Sequence, residues 1–188
     1  MPESRYEEAV SIAVTAAKVL KVGAPESGAQ IGPIANKAQY DRVVALIEKS
    51  VQEGADLLTG GAGKPSGIDA GFFVEPTIFG GVTPDMTIGR EEVFGPVLSI
   101  MRYRDVDEAV EIANDSEYGL SGYVWGADRE SAYGVAARLR TGMVHLNGSG
   151  LDSAAPFGGY KKSGNGREWG SHGFKEFLEV KSVYGSGP

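Results

Sequence analysis

The sequence contains no cysteine among its 188 residues. Such a chain forms no disulfide and has no thiolate with which to bind a metal or attack a substrate. Histidine is almost as scarce, since only His145 and His172 are present and they lie far apart in the sequence. No acidic cluster stands in register with them, so we predict no metal site.

Long hydrophobic runs and an excess of positive charge are also missing. No apolar run approaches the length of a membrane span, and the start, MPESRYEEAV, has neither a basic nor an apolar targeting region. The net charge of −7 argues against binding to a nucleic-acid backbone or an anionic membrane surface. We therefore expect a cytoplasmic protein with no nucleic-acid or membrane partner.

What the sequence does have is a composition typical of a folded domain. Hydrophobic residues make up 41% of the chain, which suits one globular domain of ordinary size. Many of the 28 glycines cluster in residues 59–71 and 147–166, where they mark turns and close backbone approaches. No fixed period is present, so a repeat protein is not predicted.

The first half of the chain has a helical pattern followed by short extended segments. Apolar spacing predicts amphipathic helices over residues 3–21 and 36–53. DLLTGG is a short strand candidate, and GFFVEPTIFGGV is an extended segment. Pro76 within that segment argues against a central strand, because proline has no N–H to donate to a neighbouring strand.

The second half alternates regularly between strand and helix patterns. PVLSIMRY, YGLSGYVWG and GMVHLN read as strands, and the helices between them begin after Asp105 and Asp128, two capping residues. This order with short links predicts an α/β fold, a mostly parallel sheet flanked by helices, with right-handed crossovers. Ligands bind beyond the carboxyl ends of the strands in such a sheet.

The C-terminal segment GFKEFLEVKSVYG begins like a helical turn and then alternates polar and apolar residues. A strand here has no following partner in the sequence. It either pairs within its own domain or adds to the sheet edge of another subunit. We therefore predict one domain over residues 1–175 and a C-terminal strand or tail over residues 176–188.

Three local motifs raise questions that composition alone leaves open. The stretch REEVFGPVLSI has two adjacent acids before an apolar strand. These acids belong either to a solvated turn or to a functional site. The glycine-rich PFGGYKKSGNGRE lacks the G-x-x-x-x-G-K-[ST] spacing of a phosphate loop, so we reject that function. Asn147 is expected to cap its loop, and His145, alternating with apolar neighbours, is expected to be structural.

Six sequence blocks occur in the order and spacing of the aldehyde dehydrogenase superfamily, which this chain closely resembles. Together they cover nearly the whole chain but only the C-terminal part of that family's protein. The blocks are GPIANKAQYDRVVALIEKSVQEGADLLTGG, GFFVEPTIF, EEVFGPVLSI, ANDSEYGLSGYVW, RLRTGMVHLN and PFGGYKKSGNGREWGSHGFKEFLEVKSV. In the family an ESRY-like segment follows the nucleophilic cysteine, so the resemblance implies a truncated fragment that starts just past it.

The resemblance implies an oligomeric NAD- or NADP-dependent oxidoreductase that converts an aldehyde to a carboxylic acid. In that chemistry a cysteine thiolate attacks the aldehyde, the adduct yields hydride to the nicotinamide, and water hydrolyses the thioester. This chain has no such thiolate, and the family's general-base and nucleotide-domain motifs have no counterpart in it. We therefore expect no catalytic residue here, no activity of the chain alone, and no basis for choosing NAD over NADP or one aldehyde over another.

For the cofactor, the resemblance implies a role for the acids of REEVFGPVLSI. Glu92 corresponds to the acid that accepts hydrogen bonds from the nicotinamide ribose, and Phe94 packs beside the nicotinamide. Glu91 is then more structural, as an ion-pair partner. Gln39 and Arg42 share one helical face that lies near the cofactor in the family, although a solvated face is an equal alternative.

For the substrate, the resemblance implies that Phe157 lines the aldehyde tunnel near the nucleophile. Leu151 falls in the preceding loop, whose side chains vary with substrate in the family. The small residues of NGSGLDSAA suggest a roomy tunnel.

Two other functions compete with that of an enzyme part. The first is a noncatalytic module that forms homo-oligomers through strand 177–184. The second is a free-standing nucleotide-binding domain, which predicts measurable binding of NAD. We expect no binding or very weak binding, because most of the cofactor's binding site is absent.

Overall fold

A computed structural model describes residues 1–185 of the chain. The chain divides into two compact units, of which the first is Met1–Ala109 and the second begins at Val110. The predicted boundary between a domain over residues 1–175 and a C-terminal strand or tail over residues 176–188 stays a prediction.

The helices of the first unit lie close to where the apolar spacing placed them. A 3₁₀ turn, Glu3–Arg5, leads into α1, Tyr6–Val19. Helix α2 spans Lys37–Gln52, and its N-cap Asn36 accepts a hydrogen bond from the Gln39 backbone N–H at 2.9 Å.

The sheet of the first unit has three short strands in the order β1, β2, β3, namely Asp56–Thr59, Thr77–Gly80 and Val97–Ser99. Strand β2 pairs antiparallel with β1 and parallel with β3, and all four of its residues are buried. The expectation that Pro76 excludes a central strand is therefore wrong. Pro76 precedes Thr77, the first paired residue of β2, so its missing N–H removes no hydrogen bond between the strands.

Alternation along β2 divides the core of this unit between two helices. Phe79, fully buried, packs in a cluster with Val43 and Ile47 of α2. Its neighbour Ile78 belongs to a second cluster with Tyr6 and other residues of α1. Because successive strand residues face opposite sides, the sheet lies between the two helices.

The second unit contains the regular strand–helix–strand pattern. Helix α4, Val106–Asn114, crosses the boundary between the units; it is followed by β4, Ser121–Val124, α5, Arg129–Ala136, and β5, Met143–Leu146. Both predicted caps are confirmed, since Asp105 accepts from Glu108 N–H and Asp128 from Ser131 N–H. Strands β4 and β5 are parallel as predicted, whereas β3 pairs with β2 of the other sheet and not with β4.

The C-terminal segment differs from its predicted form. After α6, Gly170–Lys175, residues 177–185 form no strand in the described chain. Pairing of this segment within its own domain is thus not observed, and its apolar side chains are exposed, Phe177 by 88% and Val180 by 93%. An isolated strand has no partner for its backbone hydrogen bonds, which is the physical reason that none forms here.

The residues that the structure describes include no helix that combines the length and apolar character needed to cross a membrane.

Candidate functional site

The first candidate site is the loop Glu91–Pro96, here called the acidic loop, which leads into β3. Helix α3, Thr87–Arg90, is capped from a distance, because Thr87 donates from its N–H and its hydroxyl to the Glu53 carboxylate at 2.6 Å each. These hydrogen bonds hold the pKa of Glu53 below its ordinary value. The resulting stabilisation of the folded state is fully present at pH values above the ordinary glutamate pKa. It is lost as the pH falls through the lowered pKa of Glu53.

Two side chains of α2 hold the backbone of the acidic loop. Gln39 Nε2 donates to the carbonyl oxygens of Val93 and Phe94 at 3.0 and 3.2 Å. Arg42 Nη1 donates to the carbonyls of Glu92 and Val93 at 2.7 and 3.2 Å. Both residues share one helical face, as their spacing predicted, but their donors are committed to loop carbonyls.

The two acids of the loop have different surroundings. Glu91 forms an ion pair with Arg42, 3.1 Å between Oε2 and Nη2, which confirms its expected role as an ion-pair partner. The exposed carboxylate of Glu92 makes no hydrogen bond or ion pair with the described residues, while its backbone carbonyl is held by Arg42. The loop therefore presents one free carboxylate on a fixed backbone.

Phe94 is presented next to that carboxylate in a strained backbone conformation. Its φ of 59° lies in the left-handed region, and its ring is 73% exposed. The residues on either side are anchored: Val93 is buried, and a Cβ placed on Gly95 would lie 2.9 Å from a methyl group of Val43. The two neighbouring residues are thus closely packed against the core, whereas Phe94 between them projects into solvent.

The second candidate site is a separate feature, a cavity of about 320 Å³ in the second unit. Leu151 and Phe157, the two residues predicted to contact substrate, both line it. Phe157 is held by a two-way backbone pairing with Glu168, at 2.8 and 2.7 Å, and its ring lies 5.1 Å from that of Trp169. Most of the wall is apolar; the principal lining residues are Met143, Val144, His145, Leu151, Phe157 and Trp169.

The loop that closes the cavity starts at the carboxyl end of β5. Asn147, with φ of 49°, exchanges two hydrogen bonds with the Gly126 backbone, at 2.9 and 3.0 Å. Asn147 therefore caps backbone, as expected, but that of the loop after β4 and not that of its own loop. His145 is buried and its Nδ1 lies 2.8 Å from the Ser149 carbonyl oxygen, as expected of a structural histidine.

The three cations of the glycine-rich segment 156–168 already have partners within the chain: Lys162 pairs with the Glu117 carboxylate, and the other two donate to backbone carbonyls. Lys161 Nζ donates to the carbonyls of Asn114 and Ser116, each at 2.8 Å. Arg167 donates to the Gly159 and Gly166 carbonyls at 2.9 and 2.8 Å. These contacts agree with the rejection of a phosphate loop, since such a loop directs its donors toward the ligand.

The structure thus brings the predicted residues together in two groups. Gln39, Arg42, Glu92 and Phe94 meet at the acidic loop, whereas Leu151 and Phe157 share the cavity. The sequence did not predict that Gln39 and Arg42 would donate to backbone carbonyls of the acidic loop. It also did not predict that Trp169 would line the cavity. The described residues contain no group of three side chains placed to hold a metal ion.

Comparison with known proteins gives a consistent result. The model of the aldehyde dehydrogenase family matches residues 1–183. A 3-succinoylsemialdehyde-pyridine dehydrogenase from a Pseudomonas species is 54% identical over 186 residues, which are 98% of this chain and 39% of that protein.

Solved structures of similar proteins share the fold. A cysteine-to-alanine mutant of aldehyde dehydrogenase C from Pseudomonas syringae, in complex with NAD⁺ and octanal, superposes with a TM-score of 0.94 and 49% identity, over 97% of this chain and 38% of its own. The aldehyde dehydrogenase of Mycobacterium tuberculosis complexed with NAD⁺ gives a TM-score of 0.90 and 45% identity, over 94% and 36%. The α/β fold is confirmed, and the chain spans about two fifths of the length of these relatives.

The anchoring of the acidic loop leads to a first prediction. Replacing Arg42 with alanine removes two donors to loop carbonyls, so the amides of Glu92–Gly95 should exchange with deuterium about fivefold faster, the effect of one net hydrogen bond. Lys37→Ala is the control, because Lys37 lies on the same helix and pairs only with Asp41. Equal exchange in both variants would contradict the anchoring role.

The left-handed conformation of Phe94 leads to a second prediction. Phe94→Gly should be more stable than Phe94→Ala by about 1 kcal/mol, because glycine alone adopts this φ without strain. Urea unfolding measures the difference. The same pair of changes at Phe174 in α6, which is helical and exposed, should give the reverse order. If the alanine variant were more stable than the glycine variant at both positions, the strain at Phe94 would be shown to be absent.

Proposed function

Because the chain belongs to the aldehyde dehydrogenase family, we propose that it is the C-terminal part of the catalytic domain of an NAD(P)-dependent enzyme that oxidises an aldehyde to a carboxylic acid. The observation that carries this proposal is the acidic loop, whose anchored backbone bears the free Glu92 carboxylate and, two residues later, the exposed Phe94. A turn that is only solvated does not require four hydrogen bonds from a neighbouring helix to its backbone carbonyls, nor an aromatic residue with a strained backbone.

Glu92 and Phe94 are the residues that we propose to contact the cofactor. A carboxylate accepts from two ribose hydroxyls at once, and Glu92 has no competing partner in the described chain. The ring of Phe94 supplies an apolar wall that limits the movement of the nicotinamide, the group that accepts the hydride in this chemistry. The proximity of a carboxylate and an exposed ring on one rigid loop fits a nicotinamide ribose.

Gln39 and Arg42 support that site mainly by holding the loop. Direct contact of these two side chains with the cofactor stays a prediction; the contacts they make favour a positioning role. Gln39 donates both Nε2 protons to loop carbonyls, and Arg42 donates from Nη1 and Nη2 to loop atoms. Fixed geometry of the loop reduces the entropy that cofactor binding would otherwise cost.

Phe157 and Leu151 are the residues that we propose to contact the aldehyde. Their cavity of about 320 Å³ suits a small organic molecule, and its apolar wall suits an alkyl or aryl group. Support also comes from relatives, one of which was solved with octanal and another of which is a semialdehyde dehydrogenase. Which aldehyde is used, and whether NAD or NADP serves, is not decided by these residues.

The nucleophile must come from outside this chain, since the chemistry requires a thiolate and no cysteine is present. Glu92 on its loop and Phe157 in its cavity then each act with groups that another part of the polypeptide supplies. The cytoplasmic location inferred from the sequence stays a prediction.

The absence of the thiolate leads to a third prediction. The purified chain should reduce neither NAD⁺ nor NADP⁺ in the presence of octanal, and titration should detect no binding of NAD⁺ or very weak binding. A complete aldehyde dehydrogenase in the same assay is the positive control. Turnover that scales with the concentration of the chain and disappears in Glu92→Gln would overturn the assignment of the nucleophile to another segment.

A second function, assembly, is favoured by the exposed C-terminal segment. Five large apolar side chains between residues 177 and 184 are at least half exposed, which is costly for a segment with no partner; they are Phe177, Leu178, Val180, Val183 and Tyr184. We propose that residues 177–184 form a strand on the sheet edge of another copy and so build a homo-oligomer. This function is compatible with that of an enzyme part.

Strand exchange leads to a fourth prediction. Truncation after Glu176, or the single change Val180→Lys, should lower the mass measured by light scattering to that of one chain, because each removes apolar contacts of the proposed strand. Val19→Lys is the matched control, since Val19 is 69% exposed at the end of α1 and outside the tail. Unchanged mass after truncation would argue against strand exchange.

A further inference from the structure

His145 occupies a position in the cavity wall that its structural role does not fully explain. It lies on β5 opposite Tyr123 of β4, and the two rings stack with centroids 4.7 Å apart and planes 15° apart. Only 8% of the residue is exposed, and it lines the cavity together with Leu151 and Phe157. The ring is therefore fixed in orientation by a neighbour on one face.

The hydrogen bond of Nδ1 determines which ring nitrogen carries the proton. The Ser149 carbonyl oxygen, 2.8 Å from Nδ1, can only accept, so Nδ1 must be the donor. Ser149 is held from its other side as well, because its N–H donates to the Leu146 carbonyl at 3.0 Å. In the neutral ring Nε2 then has no proton and is a hydrogen-bond acceptor.

Nε2 is the ring nitrogen that the contact with Ser149 leaves unused, on a residue that lines the cavity. Within residues 1–185 the one fully buried side-chain nitrogen or oxygen that lacks a hydrogen-bond partner is Ser121 Oγ. Nε2 of His145 also has no partner in the described chain, so it is not sealed away from solvent. The open space that His145 borders is the cavity.

We propose that His145 is a specificity-determining residue whose Nε2 selects aldehydes that carry a hydrogen-bond donor, a hydroxyl or N–H group, in addition to the carbonyl. The proposal rests on the proposed function, in which this cavity receives the aldehyde. Most of the wall is apolar, so a single fixed acceptor orients a substrate strongly. A substrate that buries Nε2 without supplying a proton loses affinity, because a desolvated acceptor is left unpaired.

Two further side chains with acceptor oxygens line the cavity, the Ser149 hydroxyl and the Asp152 carboxylate. The charged one, Asp152, must be separated from His145. Its Oδ1 accepts from the Ala154 N–H at 2.9 Å, and the residue is exposed to solvent. Water competes for its remaining oxygen, so it should discriminate little between donors and non-donors. Asp152→Asn is therefore the control for any effect at His145.

The first test determines the tautomer by ¹⁵N NMR of the uniformly labelled chain. Because the chain has two histidines, the exposed His172 serves as an internal reference. At mildly alkaline pH His145 should give the pattern of a ring protonated at Nδ1 and bare at Nε2. A ring protonated at Nε2 would overturn the proposal.

The second test compares two small probes of equal length, butan-1-ol, which has a hydroxyl donor, and butan-2-one, which only accepts. Titration of the chain, followed by the Leu151 methyl resonances, should show butan-1-ol binding about fivefold more tightly than butan-2-one, the effect of one net hydrogen bond. The Nε2 resonance of His145 should shift with the alcohol alone. Equal affinity with no shift at Nε2 would overturn the proposal.

Two substitutions separate the functions of the two ring nitrogens. His145→Asn keeps a donor near the Nδ1 position and should keep the loop but lose the preference for the alcohol. His145→Gln places an acceptor near the Nε2 position and should keep the preference while the Ser149 amide exchanges faster. Asp152→Asn should keep both properties. Loss of the preference in Asp152→Asn alone would assign the selectivity to Asp152 and overturn the proposal for His145.

The outcomes also distinguish this proposal from the function on which it rests. Binding of both probes with equal affinity refutes the role of Nε2 but leaves an aldehyde cavity in place. Binding of neither probe counts against the cavity itself, and so against both proposals. The measurements on the unaltered chain decide between these outcomes even where a variant fails to fold.

Discussion

The donation of side-chain N–H groups to loop carbonyls is the interaction on which both candidate sites depend. An irregular loop has carbonyl groups that no strand or helix satisfies, and leaving them buried and unpaired is costly. Gln39 and Arg42 satisfy those of the acidic loop, and His145 does the same for the Ser149 carbonyl in the cavity wall. In each case a long or flat polar side chain from a regular element fixes a segment that has no regular structure of its own.

The parts of the fold that sequence reasoning predicted are those governed by local periodicity and capping. The pattern of Val43 and Ile47 gave α2 almost to the residue, and Asp105 and Asp128 marked the starts of α4 and α5. Pairing between distant strands was predicted less well. Nothing local to β3 indicates that it pairs with β2 and not with β4, because that choice depends on which helices cover each sheet.

The candidate site was predicted as a set of residues but not as an arrangement. Glu92 and Phe94 came from a motif, and the structure adds that Phe94 sits at a φ of 59° with its ring outside. No propensity predicts an aromatic residue in that conformation, since local preference opposes it. Such conflict between local preference and the fold is typical of functional positions, where the surrounding contacts, here those from Gln39 and Val43, impose the conformation.

The two groups of site residues also differ in how they limit a ligand, and the difference follows from what each is proposed to bind. A ribose has hydroxyl groups on its surface, so it is recognised by a charged acceptor, and Glu92 can remain exposed because its charge is costly to bury before the ligand arrives. An aldehyde has little polar surface beyond its carbonyl group, so an apolar cavity with few polar atoms suffices to hold it. Selectivity among aldehydes must then come from those few atoms. Under the proposal made for His145, its Nε2 acceptor therefore contributes more to substrate choice than the many apolar contacts around it.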